Sequence, residues 1–314
     1  MSRDAQKNAH DVAPVETTTV VVDEVRVSEK RSTLWLDAWR DLRKRPLFWI
    51  SLALVAVFAL LAAWPGLFTP VAPAAGCQLG SSNAGPAPGH PLGFTRQGCD
   101  VWARIAWGAR TSIMVGLLAT VISTVLGVVM GTIAAFYGGW VDSLLSRVGD
   151  IFFTIPYIIA GIVVMSVMPV KNEFILAFAI GGFAWASTAR IVRAEVLRVK
   201  QSDYVIASIA LGMSRFRTLV VHVLPNALTP VTVVATITLG HSIVAEATLS
   251  WLGIGLPHPT ISWGADISEA QTAIHTAPGS LIWPSLALGL TVLAFITLGE
   301  LLRDALDPKA RAQR

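Results

Sequence analysis

Hydrophobic runs of bilayer length alternate along this chain with short polar segments. A helix needs roughly 20 mostly apolar residues to cross the hydrocarbon core. Six stretches meet or approach that length: 47–68, 111–137, 151–170, 174–191, 228–250 and 281–302. Each is predicted to be a transmembrane helix, because apolar residues there run on rather than recurring at amphipathic spacing. The fourth is tight, and fits only if Arg190 and Arg193 snorkel toward the interface.

The polar stretches between them are not equivalent. Residues 1–46 are polar and carry both charge signs, so a cytosolic tail without a cleavable signal is expected. Its end, 35–45, joins Trp35 and Trp39 to Arg40, Arg43, Lys44 and Arg45 and predicts an interfacial helix. Residues 69–110 are rich in Gly, Pro and Ala and close on DVWARIAWGAR, whose Val101, Trp102, Ile105, Ala106 and Gly108 predict a short amphipathic helix at the surface. The loop 252–280 holds Pro257, Pro259, Trp263 and Pro278, and residues 303–314 form a polar C-terminal tail. The segment 111–302 is predicted to be the permeation core.

The stretch SDYVIASIALGMSRFRTLVVHVLPN, 202–226, lies between the fourth and fifth runs. Ser202 and Asp203 supply an N-cap and a favourable first-turn acid. Tyr204, Ala207, Ser208 and Leu211 then fall at i, i+3, i+4 and i+7, on one helical face. Gly212 tolerates the left-handed conformation that ends such a helix. Ser214 caps a second helix carrying Phe216, Leu219, Val220 and Val223, and Pro225 is expected to interrupt it. Helix, Gly turn, helix is therefore predicted, with an apolar face available for docking and Arg215 and Arg217 beside the turn.

Composition agrees with a membrane protein: 54% of residues are hydrophobic and 14% charged, too little charge for an ordinary soluble surface. The net charge of +4 does not indicate nucleic acid, since the basic residues sit beside apolar spans without stacking platforms. Their distribution sets orientation instead. With the N-terminus inside, 20 of the 24 Lys and Arg fall on the cytoplasmic side, which puts both termini and the 202–226 loop inside. No Cys or His spacing matches a zinc site. Cys77 and Cys99 share the first external loop, where an oxidising exterior allows them to pair, against the alternative of two free thiols.

The residues of the loop also match a known pattern. Asp203-Tyr204-Val205-Ile206-Ala207-Ser208, then Ala210-Leu211-Gly212, then His222-Val223-Leu224-Pro225-Asn226-Ala227, resembles the EAA loop of permease subunits in binding-protein-dependent ABC importers. Outside the loop, Gly108-Ala109-Arg110-Thr111-Ser112, Tyr137-Gly138-Gly139-Trp140-Val141-Asp142 and Asp150-Ile151-Phe152 with Pro156 are similar to the dipeptide and oligopeptide subfamily. So are Ala245-Glu246-Ala247-Thr248-Leu249-Ser250-Trp251-Leu252-Gly253, Ser262-Trp263-Gly264 and Leu302-Arg303-Asp304-Ala305-Leu306-Asp307-Pro308. The resemblance covers about residues 93–308 and is to the second permease subunit, the DppC or OppC type.

This resemblance implies an all-α polytopic protein of the bacterial plasma membrane, with six transmembrane helices and the type I ABC importer permease fold. Its partners would be a homologous permease subunit, two ATPase domains or subunits, an extracytoplasmic binding protein and membrane lipid. The coupling helix of the loop, 200–226, would sit in a cleft of the ATPase. No Walker A or dinucleotide pattern occurs, so ATP and Mg are expected on the partner subunits, with no cofactor on this chain and no enzyme activity of its own. The cargo would be di- or oligopeptides, with nickel, glutathione or haem as alternatives within the family.

Three positions depart from the family pattern. Ile206-Ala207-Ser208 stands where Glu-Ala-Ala is common, Gly98-Cys99-Asp100 where Gly-Arg-Asp is common, and Glu300 where Asp is usual. Docking is therefore expected to rest on apolar packing. Glu246 is a candidate to line the pathway or anchor an external gate, with a structural hydrogen-bond acceptor as the plainer reading. His222 and His241 read as ordinary polar contacts rather than proton relays, and Gly127 and Gly131 form a GxxxG that fits close helix packing. From other classes, an ion-coupled secondary transporter would need ion-liganding groups at the bilayer midplane, which the runs hardly offer. A membrane scaffold is the third alternative.

Overall fold

The computed structural model describes residues 34–73 and 77–306. The expectations for 1–33 and 307–314 fall outside the described residues. Helices account for all regular structure among the described residues. Five are long and apolar enough to cross a membrane, and a bent pair supplies a sixth candidate.

The first helix, α1 (Leu34–Leu42), precedes the first span α2 (Pro46–Ala63). Pro46 opens α2, where a missing N–H costs nothing. Ala38 and Leu42 of α1 pack on Phe48, Leu301 and Ala305, while Trp35 and Trp39 face outward. Arg45 bridges Asp41 at 2.8 Å and Asp304 at 3.5 Å, tying this corner to the last helix. A helix precedes the first span where 35–45 predicts one, and the span stops at Ala63 rather than Phe68.

The second span is where the fold departs most from the sequence reading. Helix α3 (Val101–Tyr137) is continuous over 37 residues, about 55 Å, so no separate surface helix exists at its start. Asp100 caps it, its Oδ1 accepting from the Trp102 N–H at 2.9 Å. Val101, Ile105, Ala106 and Ala109 are buried in one cluster with Phe58 and Trp263, which turns the supposed surface segment into core.

Helices α4 (Gly139–Thr154) and α5 (Tyr157–Val167) meet at 82°, so the third span, expected as one run over 151–170, is broken. Pro156 explains the break: it lacks the N–H and holds Ile155 in an extended conformation. Helix α6 (Glu173–Lys200) runs nine residues past the expected end at Ile191 and packs along α3. Gly127 and Gly131 permit that approach. A Cβ at Gly127 would stand 2.6 Å from Thr188 Cβ, and one at Gly131 2.5 Å from the Ala189 carbonyl.

After the polar loop, described below, come α10 (Thr229–Trp251), the short α11 (Trp263–Ala270) and α12 (Gly279–Leu306). The segment between α2 and α3 has little regular structure, and the Cys77–Cys99 disulfide closes it. The pairing left open by the sequence is thus present. With the two cysteines 22 positions apart in sequence, Cys99→Ser is expected to lower stability by about 3 kcal/mol through unfolded-state entropy. Thermal unfolding in detergent checks this, and an unchanged midpoint contradicts it.

Candidate functional site

The 202–226 loop folds into four short pieces: α7 (Asp203–Ala210), α8 (Arg215–Thr218), a π-turn at Leu219–Val223 and α9 (Leu224–Ala227). Ser202 occupies the N-cap position of α7 without a side-chain bond to the helix, and Asp203 is its first-turn acid. At the other end the chain forms a full Schellman closure. The Gly212 N–H donates to the Ile209 carbonyl at 3.0 Å and the Met213 N–H to the Ser208 carbonyl at 3.1 Å, with Gly212 at φ +86°. Ser214 then caps α8, its Oγ accepting from the Arg217 N–H.

Pro225 does not interrupt the second helix. The π-turn precedes it, the Leu224 N–H reaching back to the Leu219 carbonyl, and the wider turn lets a residue without an N–H pass within a helical path. Asn226 Nδ2 donates to the His222 carbonyl at 2.7 Å and covers one acceptor there.

The face expected on α7 is split. Val205 and Ser208 turn inward, the Ser208 hydroxyl donating to the Val205 carbonyl at 2.8 Å. Val205 joins Leu219, Val223 and Ala227 against Val192, Val196 and Val199 of α6 and Phe136 of α3. Tyr204, Ile206, Ala207, Ala210 and Leu211 remain exposed, Leu211 to 88%. Phe216, Arg215, Arg217 and Pro225 are also exposed. One loop thus carries two apolar faces, one sealed onto the spans and one left exposed among the described residues.

Ion pairs fix the spans beneath the loop. Arg193 of α6 grips Asp142 of α4 with two bonds of 2.7 Å, and Arg190 reaches Asp150 at 2.8 Å. The planar guanidinium fits the carboxylate bidentately. Lys200 Nζ donates to the Phe136 carbonyl at 2.7 Å, at the C-terminal end of α3, where a cation is favoured. These contacts explain why α6 continues past Ile191 without its arginines snorkelling alone.

The opposite end of the bundle holds Glu246. Its side chain is fully buried, and Oε1 accepts from the Ser250 hydroxyl at 2.8 Å, so it lies within the helix packing rather than on a surface. Nearby, Trp263 is fully buried, its Nε1 donating to the Ile105 carbonyl at 2.9 Å. Asp266 pairs with Arg104: Oδ1 accepts from Nε at 2.8 Å and also from Nη2. Burial outweighs Arg104 and pushes the Asp266 carboxyl up to about 6. Sequence reading missed this pair. The available signal was an arginine set among Ala103, Ala106 and Ala109, where a buried charge requires a partner.

Among the described residues no cluster of His, Cys, Asp and Glu is suited to a metal ion. Nor do the loop and its supports form an acid, base and nucleophile set. What the arrangement offers is mechanical: a rigid handle on α3 and α6 with an uncovered apolar side.

The family described as binding-protein-dependent transport system inner membrane component matches residues 123–312. The N-terminal TM domain of oligopeptide transport permease C matches 33–86. Among the relatives is the oligopeptide transport system permease protein OppC of Bacillus subtilis, 35% identical, with 92% of this chain and 94% of that protein covered. The dipeptide transport system permease protein DppC of Alkalihalophilus pseudofirmus is 34% identical, covering 88% and 91%. The glutathione transport system permease protein GsiD of Pectobacterium atrosepticum is 32% identical, covering 89% and 93%.

Proposed function

Because the chain belongs to the inner-membrane components of binding-protein-dependent transport systems, as a permease of the ABC peptide importers, we propose how it is driven and what it carries. With a homologous second permease it forms the passage for di- and oligopeptides delivered by an extracytoplasmic binding protein. ATPase subunits on the cytoplasmic side drive it through the 202–226 loop. Both termini lie on that same side, in keeping with the distribution of Lys and Arg.

The observation that carries this reading is the two-faced loop. Its inner face is continuous with the core of α3 and α6, so a push on the outer face moves spans rather than a loose segment. An exposed apolar set of Tyr204, Ile206, Ile209 and Leu211 is otherwise costly on a cytoplasmic surface. With Ile206 in place of the family's common Glu, the grip on the ATPase is apolar, and Arg215 and Arg217 supply charge at its edge. Closure of the ATPases on ATP then rocks the spans as rigid bodies.

A cysteine at Ala207, on the exposed side, is expected to cross-link to the ATPase subunit, and one at the buried Ser208 is not. Mass spectrometry of the cross-linked complex checks this. Absence of any Ala207 product across several linker lengths contradicts docking through this face. A second cargo reading, glutathione, is supported by the likeness to the GsiD permease; competition between a labelled dipeptide and glutathione in uptake separates the two.

A further inference from the structure

His241 stands near the middle of α10, exposed and without a hydrogen bond or ion pair among the described residues. The ordinary polar contact expected of it is therefore not made there. It borders a cavity of about 480 Å³, with Thr238 of the same helix, Phe183 and Ser187 of α6, and Pro156 and Tyr157 at the break between α4 and α5. Phe183 and Ser187 lie near the middle of α6, so the cavity sits at the depth of the bilayer centre.

Two features of this wall are costly against lipid. An ionisable ring in the middle of a span is tolerated facing water or a polar partner, not hydrocarbon. The helix break adds a second cost. The last carbonyls of α4 and the first N–H groups of α5 have no partner within a helix there. Ile155 is extended, and α5 makes its first such bond from the Ala160 N–H, to the Pro156 carbonyl at 3.1 Å. Non-helical backbone at membrane depth persists only where protein covers it or water reaches it. This chain leaves it open, since Phe153, Ile155 and Tyr157 are all exposed beside the break. Ser187 and Thr238 add hydroxyls to the same wall. On α12 the exposed stripe at comparable depth, Leu286, Leu290 and Leu293, is apolar, as a lipid-facing stripe should be.

We propose that this cavity is the part of the passage that this chain lines, filled with water, with His241, Ser187 and Thr238 as its polar wall and the Pro156 break open to the same water. His241 then meets each solute that crosses, with a ring able both to donate and to accept. Lipid against this wall would strand the imidazole and the broken backbone, and apolar side chains of the second permease would do the same. The inference rests on the permease reading and adds which face of this chain the solute passes.

The test uses the complex of this chain, its partner permease and the ATPase subunits in proteoliposomes. Both native cysteines are held in the disulfide, so a single introduced thiol reports alone. His241→Cys and Ser187→Cys are treated, from both faces, with a methanethiosulfonate carrying a quaternary ammonium, which lipid excludes. The nucleotide-free complex and the complex trapped with ATP and vanadate are compared. In at least one of these forms each thiol is expected to react about tenfold faster than Leu293→Cys, because the reagent attacks the thiolate and apolar surroundings suppress it. Modification at His241→Cys is expected to block ATP-driven uptake of labelled Ala-Ala. A rate at His241→Cys no higher than at Leu293→Cys in both forms overturns the proposal and shows the wall sealed by lipid or by the second permease. If that variant does not assemble, the same result at Ser187→Cys overturns it. Uptake by the wild-type complex alongside such a result removes this placement alone, and absence of ATP-driven uptake by the wild type removes the permease reading with it.

Discussion

Leu211→Asp is expected to reduce ATP-driven uptake about a hundredfold while leaving the spans inserted and the protein stable. Leu211 is 88% exposed and touches little of its own chain, so its replacement changes folding by no more than about 0.5 kcal/mol. In a docked complex the same side chain is buried in an apolar cleft. Loss of a well-packed anchor there costs about 2 kcal/mol or more, and a buried unpaired carboxylate adds to it. Gly212→Val is expected to act on the same step from the backbone. Its φ of +86° belongs to a Schellman closure that a β-branched residue enters only with strain. Copurification of the ATPase and uptake in proteoliposomes read both variants, and normal uptake by the pair contradicts the coupling role.

Arg104→Leu is expected to produce the largest loss of stability, about 3–5 kcal/mol, since it strands the Asp266 carboxylate in a buried site. Replacing both residues by leucine is expected to recover most of that loss, because the desolvation cost of both charges disappears together. Unfolding in detergent separates the cases. A single replacement that costs under about 1 kcal/mol would show that solvent reaches the pair.

Much of the membrane architecture was legible because lipid imposes a simple rule, long apolar runs, that no distant residue has to complete. The loop was legible for a different reason: Gly212 and Ser214 dictate a turn locally, and the chain obeys. What escaped depends on contacts far along the chain. Val101–Arg110 looks like a surface helix until Asp266, 162 residues away, neutralises Arg104 and Trp263 covers Ile105. Likewise Ser208 shares helical spacing with Tyr204 and Leu211, yet its hydroxyl bonds within its own helix and so tolerates burial beside Val205. The break at Pro156 was readable in principle, since proline disfavours helix before it, but the apolar run across it concealed the bend. At Pro225 the same rule misled, because a π-turn absorbed the missing donor.

Glu246 shows how little a buried acid says by itself. Its cost in an apolar span allows a place on the pathway or a structural acceptor, and the Ser250 hydroxyl one turn away, bonded to Oε1, is compatible with both.

Uptake of a labelled dipeptide into proteoliposomes reads out whether this chain is driven by ATP hydrolysed elsewhere. The vesicles would hold this chain and its partner permease, with and without the ATPase subunits, the binding protein being present on the opposite face. Uptake is expected only when the ATPases and ATP are present together on the loop's side of the membrane. Uptake that proceeds without them, driven by an ion gradient, would contradict it.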